Sequence, residues 1–518
     1  MRLGLIAACS LFIAGLVAGL PAQAHAGSLT VKTEQGKVRG KIINYGKVKA
    51  FLGLPYAAPP VGELRWKAPQ PPLPWKGERD ATSFGRHCAQ NHVWDDIAFE
   101  DSGPSEDCLF LNVYAPEDAK ANDKLPVMFW IHGGGFRAGA SSEPRHRGDF
   151  LPLKGVVLVT INYRLGVFGF LATADLAKEA NGAAGNYGLL DMVAALQWVR
   201  VNIRNFGGDP DNVTIFGESA GSESVSALMA SPAARGLFQK AIGESGAAFS
   251  GTLATRSLEA EEKQDGAWVA SLGLRSLEEL RATPTGKLLD AAKTRKEDFE
   301  PAVDGSFFPE PVPDLYAGGR QAHVPLLAGW NRDEDDSLVS GMTAGKWKLY
   351  AIEHFHLRAA EFLKLYPGNT DEQAVRSAFD YGSDTFIAFA TWQWIEAQGK
   401  TGDSPVYRYH FELAALPSKY HPDTRAFHSD DIEYVFGTLD TRPSETVRAE
   451  DRKLSEQMMS YWTNFAKTGD PNGPGLPVWP HYDKDGLLLH FDSTVIAGPD
   501  TLRPRYEFLL EGMPPPSF

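Results

Sequence analysis

The sequence predicts an α/β fold built on a central, mostly parallel sheet, and three observations carry that expectation. Strand-like and helix-like segments alternate along the first half of the chain. The strand-like segments are continuous apolar runs, the pattern of strands covered on both faces. A glycine-flanked serine, Gly217-Glu218-Ser219-Ala220-Gly221, stands where one such run meets a helix-compatible stretch. Alternation of this kind builds parallel sheets through right-handed crossovers.

In chain order, Ser28 to Leu54 alternates apolar and polar residues around Gly36, Gly40 and Gly46, which predicts short antiparallel strands. Val127–Ile131 and Val156–Ile161 are β-branched and aromatic runs and predict buried strands. Leu189 to Asn205 predicts a helix stopped by Phe206-Gly207-Gly208-Asp209-Pro210, and Val213–Phe216 another buried strand followed by a helix over Ser222 to Ala230. Leu258–Lys296 and Lys346–Lys400 are helical in pattern, and short strands at Val324–Ala328, Val406–Phe411 and Leu487–Phe491 return to the sheet. The helical stretches read as insertions capping the sheet's C-terminal edge, where open α/β sheets bind ligands. No repeat, low-complexity tract or linker divides the chain, so residues 27–518 read as one catalytic domain.

Composition excludes several classes. With 43% hydrophobic and 22% charged residues the chain has the material for a large core and is not a disordered polymer. Arg2, the apolar run Leu3–Leu20 and the pattern Ala22-Gln23-Ala24-His25-Ala26 read as a signal peptide cleaved after Ala24 or Ala26, which implies a secreted or periplasmic product. Losing Arg2 takes the net charge from −14 to −15, which argues against nucleic acid as a partner. No second apolar run is long enough to cross a membrane. Cys88 and Cys108 remain after cleavage; in an exported chain a disulfide is expected ahead of a zinc site, which wants four ligands, with two reduced thiols as the alternative. His354 and His356, two residues apart, share no helical face and predict a solvated surface rather than a metal site. Asn212-Val213-Thr214 matches a glycosylation sequon but enters a predicted buried strand. No metal or cofactor is called for.

The chemistry is concentrated in two motifs. Gly217-Glu218-Ser219-Ala220-Gly221 reads as a nucleophile elbow, in which flanking glycines permit a tight turn that lifts the serine hydroxyl above the sheet. His132-Gly133-Gly134-Gly135-Phe136 follows the strand at Val127–Ile131 and reads as an oxyanion loop, with the N–H groups of Gly134, Gly135 and Ala220 as the expected donors. A serine hydroxyl is a weak nucleophile, so a histidine base and an acid to orient it are also required. Among 13 histidines and 65 acidic residues, spacing alone does not select them.

Together with Gly53-Leu54-Pro55-Tyr56-Ala57, Ser105-Glu106-Asp107-Cys108-Leu109, Ile161-Asn162-Tyr163-Arg164 and Asn186-Tyr187-Gly188, these motifs give a chain that resembles the type-B carboxylesterases, the α/β-hydrolases that include the cholinesterases, over nearly its whole mature length. The resemblance implies an α/β-hydrolase fold and hydrolysis of carboxylic esters. It places the acid at Glu334, in Asn331-Arg332-Asp333-Glu334, and the base at His428, in His428-Ser429-Asp430-Asp431, and it puts the family's first disulfide on Cys88 and Cys108. It also leaves rivals: a lipase acting at oil–water interfaces, and a non-catalytic adhesion protein on the same fold. The stretch between the two cysteines is shorter than in cholinesterases and its Trp94 is shifted, so their choline-binding site does not carry over. Arg137, Arg145 and Arg147 flank the oxyanion loop and suggest a preference for esters that carry an anion, unless Glu143 and Asp149 neutralise them.

Overall fold

The computed structural model describes residues 29–250, 255–416, 425–443, 446–483 and 486–512; the segment read above as a signal peptide lies outside them. Eleven strands form one twisted sheet: β1 (Lys41–Ile43), β2 (Val48–Pro55), β3 (Phe110–Pro116), β4 (Leu125–Ile131), β5 (Val157–Ile161), β6 (Gly208–Glu218), β7 (Lys240–Glu244), β8 (Leu326–Asn331), β9 (Val406–Phe411), β10 (Leu487–Phe491) and β11 (Ile496–Pro499). Their spatial order is β11-β10-β9-β8-β7-β6-β4-β5-β3-β2-β1. The block from β10 to β5 is parallel, and antiparallel strands close both edges. This is the α/β-hydrolase architecture.

The continuous apolar runs are explained by burial on both faces. In β4, Val127, Phe129 and Ile131 join one apolar core, while Met128 and Trp130 join the other. Helices α1 (Tyr187–Asn202) and α2 (Ala220–Ala230) supply Leu189, Met192, Leu196, Val225 and Leu228 to the first. Helix α3 (Ala449–Thr468) supplies Leu454, Met458, Trp462 and Phe465 to the second.

Two boundaries differ from expectation for identifiable reasons. Strand β6 starts at Gly208 rather than Val213, and Pro210 sits where the pairing with β4 shifts register, so its missing N–H interrupts no regular ladder. Strand β8 begins only after Pro325 and runs on to Asn331, which carries the chain directly to the Asp333-Glu334 segment. The first helical insertion is three helices, Leu258–Ser271, Leu277–Ala282 and Thr285–Ala292. The second builds a satellite core of its own around Trp347, Phe362 and Tyr366, and it ends in a long helix interrupted by a π-helical turn at Asp384–Ala388. The disulfide between Cys88 and Cys108 is formed, and its loop carries Trp94 and Asp96 to the C-terminal edge of the sheet.

Candidate active site

Neighbouring strands deliver the functional groups from their C-terminal ends. β6 leads into Ser219, β4 into His132-Gly133-Gly134-Gly135 and β7 into Ser245, while β8 ends at Asn331 shortly before Glu334; the segment after β9 brings His428. At the elbow Ser219 has φ 55° and ψ −125°, a strained backbone that only tight surroundings sustain. Both flanking glycines are required. A Cβ at Gly221 would stand 2.0 Å from the Ile131 carbonyl oxygen, and one at Gly217 2.6 Å from that oxygen and from the Gly221 carbonyl. Ala220 opens helix α2 immediately after Ser219, so its N–H is among those a helix leaves without an intrahelical acceptor.

His428 joins the remaining groups. Its Nε2 lies 2.9 Å from Ser219 Oγ and its Nδ1 2.6 Å from Glu334 Oε2. The other Glu334 oxygen accepts from Ser245 Oγ at 2.5 Å and from the Asn331 amide at 2.6 Å, so both carboxylate oxygens are held, and the Glu334 backbone is tied by its own amide, which donates to Ser383 Oγ at 2.9 Å. Glu218 Oε1 stands 3.3 Å from His428 Nε2 and accepts from Ser429 Oγ. Burial disfavours a charge on His428, but Glu218 first, then Glu334 and Asp431, outweigh it and push the imidazole pKa up to about 9.

The glycine loop lies against this group. Gly134 and Gly135 have φ of 100° and 56°, left-handed values that favour glycine, and a Cβ at Gly133 would come within 2.9 Å of Ser219 Cβ. His132, which starts the loop, is held by stacking on Tyr163 and by the Tyr163 hydroxyl, which donates to its carbonyl at 2.8 Å; burial depresses its pKa to about 4 and keeps it neutral.

Gly134, Gly135, Ser219, Glu334 and His428 line one cavity of about 550 Å³. Trp94, Asp96, Asp298 and Glu300 form part of its wall, and Phe386, from the π-helical turn, meets the His428 ring edge-on with centroids 5.3 Å apart.

The three arginines separate. Arg137 and Arg145 line the cavity and Arg147 does not. Each is matched by carboxylates: Arg137 by Asp298 at 3.0 Å, with its guanidinium also over Trp94, Arg145 by Glu143 at 2.8 Å, and Arg147 by Asp149 and Asp440. The feature that suggested an anion-binding patch is therefore neutralised in place.

His354 bonds the Tyr350 carbonyl at the surface. Among the described residues, His410, Glu412 and His490 bring potential ligand atoms together, and both imidazole Nδ1 atoms lie on the same Glu412 oxygen, at 2.7 and 2.8 Å. Asn212 falls within β6, as expected of its sequon.

The comparison with known proteins agrees with this geometry. The model of the carboxylesterase family matches residues 27–508. This chain belongs to the carboxylesterase family. It is 38% identical to carboxylesterase 5A of Canis lupus familiaris over 93% of this chain and 89% of that one, and 38% identical to para-nitrobenzyl esterase of Bacillus subtilis over 93% and 99%. It is 36% identical to fumonisin B1 esterase of Sphingopyxis macrogoltabida over 92% and 89%. A solved para-nitrobenzyl esterase superposes with a TM-score of 0.79 at 36% identity, covering 94% of this chain and 99% of that one. A carboxylesterase of Geobacillus stearothermophilus superposes with 0.80 at 33%, covering 92% and 99%. As a carboxylesterase the protein is a serine hydrolase of small-molecule carboxylic esters. No helix among the described residues is long and apolar enough to cross a membrane.

Sequence reading did not single out Ser245, Ser383 or Phe386 as parts of this site, and it placed Asn331 inside the acid-bearing segment without a role of its own. Glu218 lay inside the elbow motif, so its proximity to the serine was legible although its contact with the histidine was not.

Proposed function

We propose that residues 27–518 form one exported catalytic domain that hydrolyses water-soluble carboxylic esters through an acyl-enzyme on Ser219. The observation that carries this is His428, which bridges Ser219 Oγ and Glu334 at hydrogen-bond distance on both sides. Ser219 Oγ attacks the ester carbonyl carbon as its proton passes to His428 Nε2. The carbonyl oxygen becomes an oxyanion and accepts from the N–H groups of Gly134, Gly135 and Ala220, each donor contributing about 3 kcal/mol in comparable sites. The intermediate collapses, the alkoxide leaves with the proton from His428, and water repeats the sequence on the acyl-enzyme to release the acid. Glu334 holds the imidazole tautomer and stabilises the imidazolium that forms. None of these steps draws on a metal or cofactor.

The complete triad argues against a non-catalytic adhesion role, and the many charged groups lining the cavity argue for soluble esters over an oil–water interface. The leader pattern and the disulfide together support export to a secreted or periplasmic location. The deciding experiment is turnover of a p-nitrophenyl ester by the wild type and Ser219→Ala, with phosphonate labelling followed by mass spectrometry. Loss of turnover and of the label at Ser219 is expected; undiminished hydrolysis by the variant would sink the assignment. A rate that jumps when substrate exceeds its solubility limit would favour the lipase reading instead.

A further inference from the structure

We propose that Glu223 and Glu300 form, inside the Ser219 cavity, an acidic subsite that takes an ammonium group carried by the ester substrate. The inference rests on the esterase reading above and adds to it the charge class of the substrate.

Glu223 lies one helical turn beyond Ser219 on α2, is only 2% exposed and lines the cavity, yet its Oε2 finds no hydrogen-bond partner among the described residues. A buried carboxyl without a partner is costly, and such groups in native proteins call for an explanation. Glu300 lines the same cavity from the segment that follows the first helical insertion. Among the described residues it forms an ion pair with Arg256, at 3.2 Å. Burial first, and then Glu300, push the Glu223 carboxyl well above the usual range; burial likewise raises Glu300, to about 7, against the opposing pull of Arg256.

The cations that could have neutralised this wall are committed elsewhere, Arg137 to Asp298 and Arg145 to Glu143. Among the described residues the two carboxyl groups that line this cavity have one ion-pair partner between them, Arg256, which Glu261 also engages, so they fall short of the positive charge that would stabilise both as anions. An ammonium supplies that charge and three donors for their oxygens, whereas an alkyl group leaves them unpaired and an anion is repelled.

The test uses p-nitrophenyl esters of cyclohexanecarboxylic acid bearing a 4-aminomethyl, 4-hydroxymethyl or 4-ethyl group, and acetate esters of the correspondingly substituted cyclohexylmethanols, so that the charge sits on either half of the substrate. In at least one set the ammonium ester should exceed both neutral partners in kcat/KM by about tenfold or more, as a charge-assisted contact allows. Glu223→Gln and Glu300→Gln should each reduce that advantage while leaving hydrolysis of the ethyl ester intact. If Glu223→Gln does not fold, Glu300→Gln alone decides. An ammonium ester no faster than its hydroxyl partner in both sets, or an advantage that survives the substitutions, overturns the subsite. Calorimetric binding of 4-(aminomethyl)cyclohexanecarboxamide to Ser219→Ala reads the subsite without turnover, so its failure is distinguishable from failure of the esterase mechanism.

Discussion

The floor and the wall of the Ser219 cavity are built by different physics. The floor, made of the elbow, the glycine loop and the Glu334–His428 pair, is carried by strands β4, β6, β7 and β8 and by the segment after β9, and it is fixed by backbone sterics and short hydrogen bonds. The wall comes from the disulfide loop, from the ends of the helical insertions and from a π-helical turn, and it is held by ion pairs that partly face solvent. The contrast teaches that chemistry and selectivity can be perturbed separately here. Floor changes should abolish turnover or folding, and wall changes should alter which ester is preferred.

The sharpest test of the floor is Ser219→Ala, for which kcat should fall about 10,000-fold or more with the unfolding transition preserved, as for other serine hydrolases. Retained turnover would erase the distinction between the two regions. Next comes Gly221→Ala, whose Cβ meets backbone that cannot yield, at 2.0 Å; urea unfolding should register a loss of about 3 kcal/mol. A loss below 1 kcal/mol would mean that the elbow is softer than its contacts imply.

Removing the wall's covalent tie with Cys88→Ala and Cys108→Ala should cost about 3 kcal/mol on the chain-entropy account, while kcat of the folded enzyme changes little. The pH profile sharpens the floor further. His428 must be unprotonated to act as base, and neighbouring carboxylates, Glu218 foremost among them, hold its pKa high. Activity should therefore fall as pH drops through a midpoint well above the ordinary histidine value, and Glu218→Gln should move that midpoint down by about one unit. An unmoved midpoint would show that Glu218 does not govern the base. The smallest effect belongs to Arg137→Ala: its half-exposed pair with Asp298 should be worth less than about 1 kcal/mol, so kcat/KM for a neutral ester should change less than fivefold.

By itself the sequence determined the sheet and the floor's two glycine motifs, because both depend on short-range physics. Doubly buried strands require continuous apolar runs such as Val127–Ile131, and left-handed or crowded backbone at Gly134, Gly135, Gly217 and Gly221 tolerates little but glycine. The acid and base could be named only through family resemblance, since Glu334 and His428 lie 94 residues apart and nothing local distinguishes them from other charged residues. The tertiary structure alone decided that Ser245 and Asn331 clamp Glu334 and that Phe386 reaches His428 from a distant insertion. It also decided that Arg137, Arg145 and Arg147 are neutralised. A cluster of arginines in sequence says nothing of which carboxylates the fold will set against it, because ion pairing depends on distance in space, and that distance is fixed only once the chain has folded.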